Sequence, residues 1–130
     1  MNSKQGPNRM KTPYLYALPS YQDIRGSLTV AEGGLDLPFQ IQRVFWITGA
    51  DSESERGGHG HRECEQVLVA VSGSVRVGLK ADGFKGQLKL DDPGKALYVP
   101  PGTILALYGF TPQTALLVLC SHRYDAEDYV

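Results

Sequence analysis

Arg56-Gly57-Gly58-His59-Gly60-His61-Arg62-Glu63-Cys64-Glu65-Gln66 runs straight into Val67-Leu68-Val69-Ala70-Val71-Ser72-Gly73-Ser74-Val75-Arg76-Val77. The second half is rich in β-branched residues and broken by a small-residue turn at Ser72-Gly73, the composition of two strands joined by a hairpin. The first half carries two of the chain's three histidines, at i and i+2. On an extended strand that spacing puts both imidazoles on one face. Two readings follow. Either the rings sit on a strand and point into whatever a β-rich body encloses, or they are surface histidines on a glycine-rich loop.

The flanking text favours a β-rich body. Downstream, residues 74–79 read as a strand, Asp82-Gly83 as a hairpin turn and residues 87–90 as the return strand. Asp92-Pro93-Gly94 is a turn, residues 96–99 lead into Pro100-Pro101-Gly102, and residues 104–108 and 114–120 close the set. Upstream, residues 14–16 and 26–31 read as short strands and Gly33-Gly34 as a turn. Residues 39–47 alternate, with Phe39, Ile41, Arg43, Phe45 and Ile47 on one face. An arginine on an apolar face marks either the edge of the buried layer or a cation reaching an anion in a cavity. No helical period exceeds two turns. About nine or ten short strands at this spacing predict a sandwich or barrel. Residues 124–130 read as a short terminal turn. Residues 1–13 are polar and carry Pro7 and Pro13, as in a loose arm, which leaves 14–130 as a single domain.

Composition narrows the function classes. A chain of 130 residues can bury about two-thirds of its unfolded surface and needs no disulfide to fold. The net charge of -1 comes from interspersed acids and bases, which argues against a nucleic-acid partner. No apolar run approaches the ~18 residues of a membrane span. Cys64 and Cys120 form no C-x-x-C pair; Cys120 ends an apolar run and reads as a small buried hydrophobe. Two such thiols fit a reducing cytoplasm.

The order of these residues resembles the cupin double motif, which implies an all-β jelly-roll barrel of two antiparallel sheets. His59 and His61 fill its H-x-H. Gln66 stands at the acidic-ligand position and Gly73 at the closing glycine. Gly94, Pro100 and Gly102 match the second motif at full spacing. The final histidine of that motif is Leu105 here, and its asparagine is Gly109. A metal-binding member would offer three histidines and a carboxylate. Two imidazoles and an amide make a poor set for a first-row metal. Glu65 is no substitute, because a shift of one residue along a strand turns the side chain to the other face. The expectation is therefore a barrel with no metal and no cofactor. Its histidines are then free for proton transfer, which imidazole performs well near neutral pH.

A closer resemblance rests on six blocks in order: Ile24 to Glu32, Leu37 to Phe45, Arg56 to His61, Glu65 to Val75, Leu97 to Gly102 and Tyr124 to Tyr129. Together they resemble the dTDP-4-oxo-6-deoxyglucose 3,4-ketoisomerase family, whose products feed the synthesis of 3-amino-3,6-dideoxyhexoses. That resemblance implies a nucleotide-linked sugar, dTDP-linked in the family, as substrate. One base removes the C3 proton of a 4-keto sugar, an enediol forms, and a proton returns at C4. By resemblance His61 is the base and His59 its relay or acid partner. Arg43 and Arg56 are assigned to the diphosphate, Gln66 to sugar hydroxyls, and Tyr98 and Tyr108 to the walls. The chain departs from the family at Thr103-Ile104-Leu105, where a tryptophan and histidine are common, and at Tyr108-Gly109-Phe110. Competing readings are a sugar-nucleotide epimerase, a non-catalytic sugar-nucleotide-binding cupin, and a metal-dependent oxygenase that Gln66 and Leu105 disfavour. A C2 homodimer is expected, since pairing hides a sheet edge.

Overall fold

A computed structural model describes residues 12–130. The expected loose arm, residues 1–13, lies outside them except for Thr12 and Pro13. The strands are β1 (Tyr14–Ala17), β2 (Ser20–Asp23), β3 (Gly26–Thr29), β4 (Arg43–Thr48), β5 (Glu55–His59), β6 (Gln66–Ser72), β7 (Val75–Ala81), β8 (Phe84–Leu90), β9 (Lys95–Val99), β10 (Ile104–Tyr108) and β11 (Ala115–Cys120). One 3₁₀ turn, Ala126–Asp128, follows. A five-stranded sheet runs in the order β1, β9, β6, β11, β4; a four-stranded sheet runs β5, β10, β7, β8; among the described residues β2 and β3 pair only with each other. All ladders are antiparallel. From β4 onward the chain changes sheet at nearly every connection, which is the jelly-roll arrangement predicted from the motif spacing.

β6 explains why the segment after the histidines is apolar without a break. Leu68 and Ala70 point between the sheets, into a core with Val75, Val77, Leu97, Phe110, Leu116 and Val118. Val67 and Val69 point the other way, into a second cluster with Leu18, Leu37, Phe39, Tyr98 and Leu119. A strand buried on both faces needs no polar alternation. The second cluster exists because the N-terminal segment lies across the outer face of the five-stranded sheet.

That segment departs from the sequence reading. The alternation over residues 39–47 is not one strand, since β4 begins only at Arg43. Phe39 and Ile41 belong to the outer cluster, whereas Phe45 and Ile47 pack on the inner core. Residues before Arg43 form a coil in which the Glu32 carbonyl accepts from the N–H groups of Leu35, Asp36 and Leu37. The Gln42 N–H donates to the Cys120 carbonyl, and there the chain joins the sheet edge. A second difference is β2, a fully exposed strand whose polar sequence carries no alternation. It is turned onto β3 at Ile24-Arg25, where Asp23 accepts from the Arg25 N–H at 2.8 Å.

The turns fall where the small residues predicted them. Gly73 joins β6 to β7 at φ +69, and a side chain there would meet the backbone of Thr114 at 2.7 Å. Gly83 turns β7 into β8 at φ +71.

Candidate active site

A cavity of about 410 Å³ opens between the two sheets. β4 supplies Arg43, Phe45 and Ile47; β5 supplies Arg56, Gly57 and His59; β10 supplies Leu105 and Leu107. His61, Gln66, Tyr124 and Tyr129 complete the lining. The positions corresponding to the cupin ligand set, His59, His61, Gln66 and Leu105, thus converge on one space.

The two histidines reach it by different routes. β5 ends at His59, and Gly57 and Gly58 both adopt left-handed φ angles, +97 and +85, which favour glycine. The simple alternation of an extended strand does not run through to His61. The C-terminal tail places that residue instead. His61 bridges Tyr129, the Arg62 N–H donates to the Asp128 carbonyl, and the Val130 N–H donates to the Gly60 carbonyl. The ring centroids of His59 and His61 are 6.4 Å apart and nearly perpendicular. Tyr129 packs against both, at 4.5 Å from His59 and 4.8 Å from His61. His59 is exposed at the mouth, while the His61 side chain is only 11% exposed.

Asp128 defines how His61 works. Its Oδ2 lies 3.0 Å from His61 Nδ1 and also accepts from the Cys64 N–H at 3.2 Å. Its Oδ1 accepts from the Glu63 N–H at 2.8 Å. Burial alone would raise the Asp128 pKa, but these backbone donors and His61 reverse the sign and hold it below the usual range. A carboxylate can only accept, so the proton of neutral His61 sits on Nδ1 and Nε2 carries the free lone pair. Asp128 received no role in the sequence reading. It lies inside the Tyr124-to-Tyr129 block that carried part of the family resemblance, but nothing local linked it to a histidine 67 residues earlier.

Arg43 and Gln66 line the cavity beside Cys120. The Arg43 guanidinium lies over Phe45 at 5.3 Å and over Tyr124 at 5.6 Å. No carboxylate pairs with it among the described residues, and its buried Nε has no hydrogen-bond partner. With Arg56, the lining carries two guanidinium groups and no acid among the described residues. That field suits a bound anion. Glu65 and Gln66 do face opposite ways. Glu65 accepts from the Tyr98 hydroxyl at 2.8 Å, and Tyr98 lies in the outer cluster.

Tyr98 and Tyr108, expected as wall residues, therefore do not border this cavity. Tyr98 alternates outward on β9 and packs on Tyr14 with ring centroids 5.2 Å apart. On β10, Leu105 and Leu107 point inward, so Tyr108 points outward and donates its hydroxyl to Gln87. The aromatic walls are instead Phe45, Tyr124 and Tyr129.

The donor set does not fit a metal. Leu105 is an alkyl group where the cupin motif has its last histidine, and His61 Nδ1 is engaged with Asp128. One further group, His61, Cys64 and Asp128, has ligand atoms within 4.8 Å of one another. Both Asp128 oxygens already accept N–H donors. The Cys64 thiol in turn donates to the Glu65 carbonyl at 3.4 Å.

Residues 11–130 match the family model described as FdtA: WxcM-like, C-terminal. A TDP-4-oxo-6-deoxy-alpha-D-glucose-3,4-oxoisomerase from Aneurinibacillus thermoaerophilus is 39% identical over 108 residues, 83% of this chain and 78% of that protein. The 3,4-ketoisomerase QdtA from Thermoanaerobacterium thermosaccharolyticum, solved as a mutant with TDP-4-keto-6-deoxyglucose, superposes with a TM-score of 0.89. It is 36% identical and the match covers 94% of this chain and 88% of QdtA. The WlaRB TDP-quinovose 3,4-ketoisomerase from Campylobacter jejuni gives a TM-score of 0.88 at 34% identity, with 93% of each chain covered.

Proposed function

We propose, from the premise that this chain belongs to the FdtA, WxcM-like C-terminal family, that it is a sugar-nucleotide 3,4-ketoisomerase. It moves the keto group of a TDP-linked 4-keto-6-deoxyhexose from C4 to C3. The carrying observation is the His61–Asp128 pair on the wall of a cavity that also presents two arginines.

The chemistry follows from the geometry. The C3 proton is acidic because its carbanion delocalises into the C4 carbonyl. His61 Nε2, the free lone pair, takes that proton. The imidazolium that forms is stabilised by the Asp128 carboxylate 3.0 Å from Nδ1. The enediol then accepts a proton at C4, while the O3 proton leaves and C3 becomes the carbonyl. O4 ends as a hydroxyl, so protons balance and no electrons leave the sugar. His59, at the mouth, is the partner that relays a proton between oxygens. Arg43 and Arg56 hold the diphosphate, and Gln66 meets sugar hydroxyls. The reaction needs no metal ion, consistent with the donor set. The product feeds synthesis of an amino deoxy sugar, such as those of lipopolysaccharide, in the cytoplasm.

Residues 14–130 act as one domain, and a homodimer is the working unit. The β2–β3 hairpin pairs with neither sheet and exposes Tyr21, Ile24 and Leu28. β4 is a sheet edge whose outer face exposes Val44 and Trp46. A two-stranded hairpin is marginal by itself, and a second copy of the chain gives both surfaces a partner. Among the described residues no helix is long and apolar enough to cross a membrane.

The test is to incubate the protein with TDP-4-keto-6-deoxyglucose in deuterated water and follow the sugar by NMR. Carbonyl migration to C3 with deuterium at C4 is expected. Inversion without migration would make it an epimerase, and binding with no exchange at C3 would make it a non-catalytic module.

A further inference from the structure

Cys120 sits at the centre of a cross-strand row. On β11 it stands opposite Arg43 of β4 and opposite Gln66 of β6. Residues directly opposite on antiparallel strands share a face, so all three point between the sheets. Cys120 is fully buried. Its Sγ accepts from Arg43 Nη2 at 3.6 Å and from Gln66 Nε2 at 3.9 Å. Those two side chains line the cavity; Cys120 does not. For Arg43 the sulfur is the side-chain acceptor that the described residues provide, with no carboxylate in reach. The guanidinium carbon also lies over the Phe45 and Tyr124 rings. Which edge of the fork meets the cavity is then set by which nitrogen faces the sulfur.

We propose that Cys120 is a positioning residue of this site, whose sulfur holds the Arg43 fork and the Gln66 amide in the attitude in which they meet the substrate. The proposal rests on reading the cavity as a nucleotide-sugar site. The chemistry of the sulfur supports it. Contact with the Cys64 thiol draws the Cys120 pKa below the ordinary thiol range; burial opposes this, and Arg43 and Gln66 reinforce it. Cys64 is driven in the opposite sense. A sulfur accepting from a guanidinium that lacks a carboxylate makes a charge-assisted contact, stronger than a neutral one. Sulfur is also the larger and softer acceptor, able to serve two donors at these distances. A buried cysteine that only filled space would need neither donor.

The test uses the full chain and two readouts. Cys120→Ala should weaken equilibrium binding of TDP about tenfold, which is about 1.4 kcal/mol, and should raise KM more than it lowers kcat. Cys120→Ser should recover part of that loss, because its hydroxyl accepts hydrogen bonds but reaches less far. In the parent chain, ultraviolet thiolate absorbance at neutral pH should fall when Arg43→Met removes the neighbouring cation. TDP affinity in folded Cys120→Ala equal to the parent's would reduce Cys120 to core packing. So would a thiolate signal indifferent to Arg43→Met, which needs no substrate to be read. Should the parent bind no TDP, the function reading fails, while the thiolate response still decides whether Cys120 holds Arg43.

Discussion

His61 Nδ1 and Asp128 Oδ2 stand 3.0 Å apart, and that pair joins the loop after β5 to the 3₁₀ turn at the C-terminus. The contact is both chemical and architectural. It fixes the tautomer of the ring, and it closes the tail over the cavity. Asp128→Asn keeps the shape but replaces an obligate acceptor by a group that can donate. Turnover should fall by roughly 10²- to 10⁴-fold, the range for losing a competent general base, while TDP binding stays within about twofold. Steady-state kinetics beside calorimetric binding separate the two, and equal losses in both would make Asp128 structural.

The same carboxylate gives a sign for stability against pH. Its pKa is lowered on folding, so the folded state favours its charged form. Its contribution is fully present above the ordinary aspartate value of about 3.9 and is lost as pH falls through the lower folded value. Thermal melts of the parent should therefore lose stability more steeply than melts of Asp128→Asn as pH falls from the ordinary aspartate value to the lower folded one. Parallel curves would contradict the coupling.

His61→Asn removes the only lone pair of that side chain placed for proton abstraction. Deuterium exchange at C3 should vanish within detection, with TDP affinity close to the parent's. Residual exchange at a comparable rate would transfer the base role to His59.

Arg43→Ala removes a guanidinium with no carboxylate partner among the described residues. It should weaken TDP binding by roughly 1.5–3 kcal/mol, the value of a charge-assisted hydrogen bond. The effect should appear in KM. An unchanged KM would make this arginine part of the fold alone.

Gly57→Ala tests how the backbone supports the cavity. Gly57 has φ +97, and a Cβ there would collide with the carbonyl oxygen of Leu105. The left-handed backbone alone costs roughly 1–2 kcal/mol for a residue with a side chain. Displacing Leu105, a cavity residue, adds to it. Denaturant melts should show a loss above about 2 kcal/mol together with reduced turnover. Tyr98→Phe offers the contrast. It removes a buried hydroxyl bonded to Glu65, for a stability loss of about 1–3 kcal/mol, and leaves KM unchanged because Tyr98 lies outside the cavity.

Much of this was legible in the order of residues, because turns and strand faces are local. Gly73 and Asp82-Gly83 mark turns whatever surrounds them, and the H-x-H with the spacing of Gly73, Gly94, Pro100 and Gly102 carried the cupin comparison. The opposite facing of Glu65 and Gln66 follows from the pleat. What needed the folded chain were contacts between distant segments. Alternation cannot say which of two buried clusters a face meets, so Phe39 and Ile41 looked continuous with Arg43 and Phe45. Tyr98 and Tyr108 could be placed on strands but not on a side of the barrel. Asp128 finds His61, and Cys120 finds Arg43 and Gln66, only when sheet order and the returning tail bring them together. Pleat and turn act over a few bonds, whereas the proton path and the anion wall depend on packing across the chain.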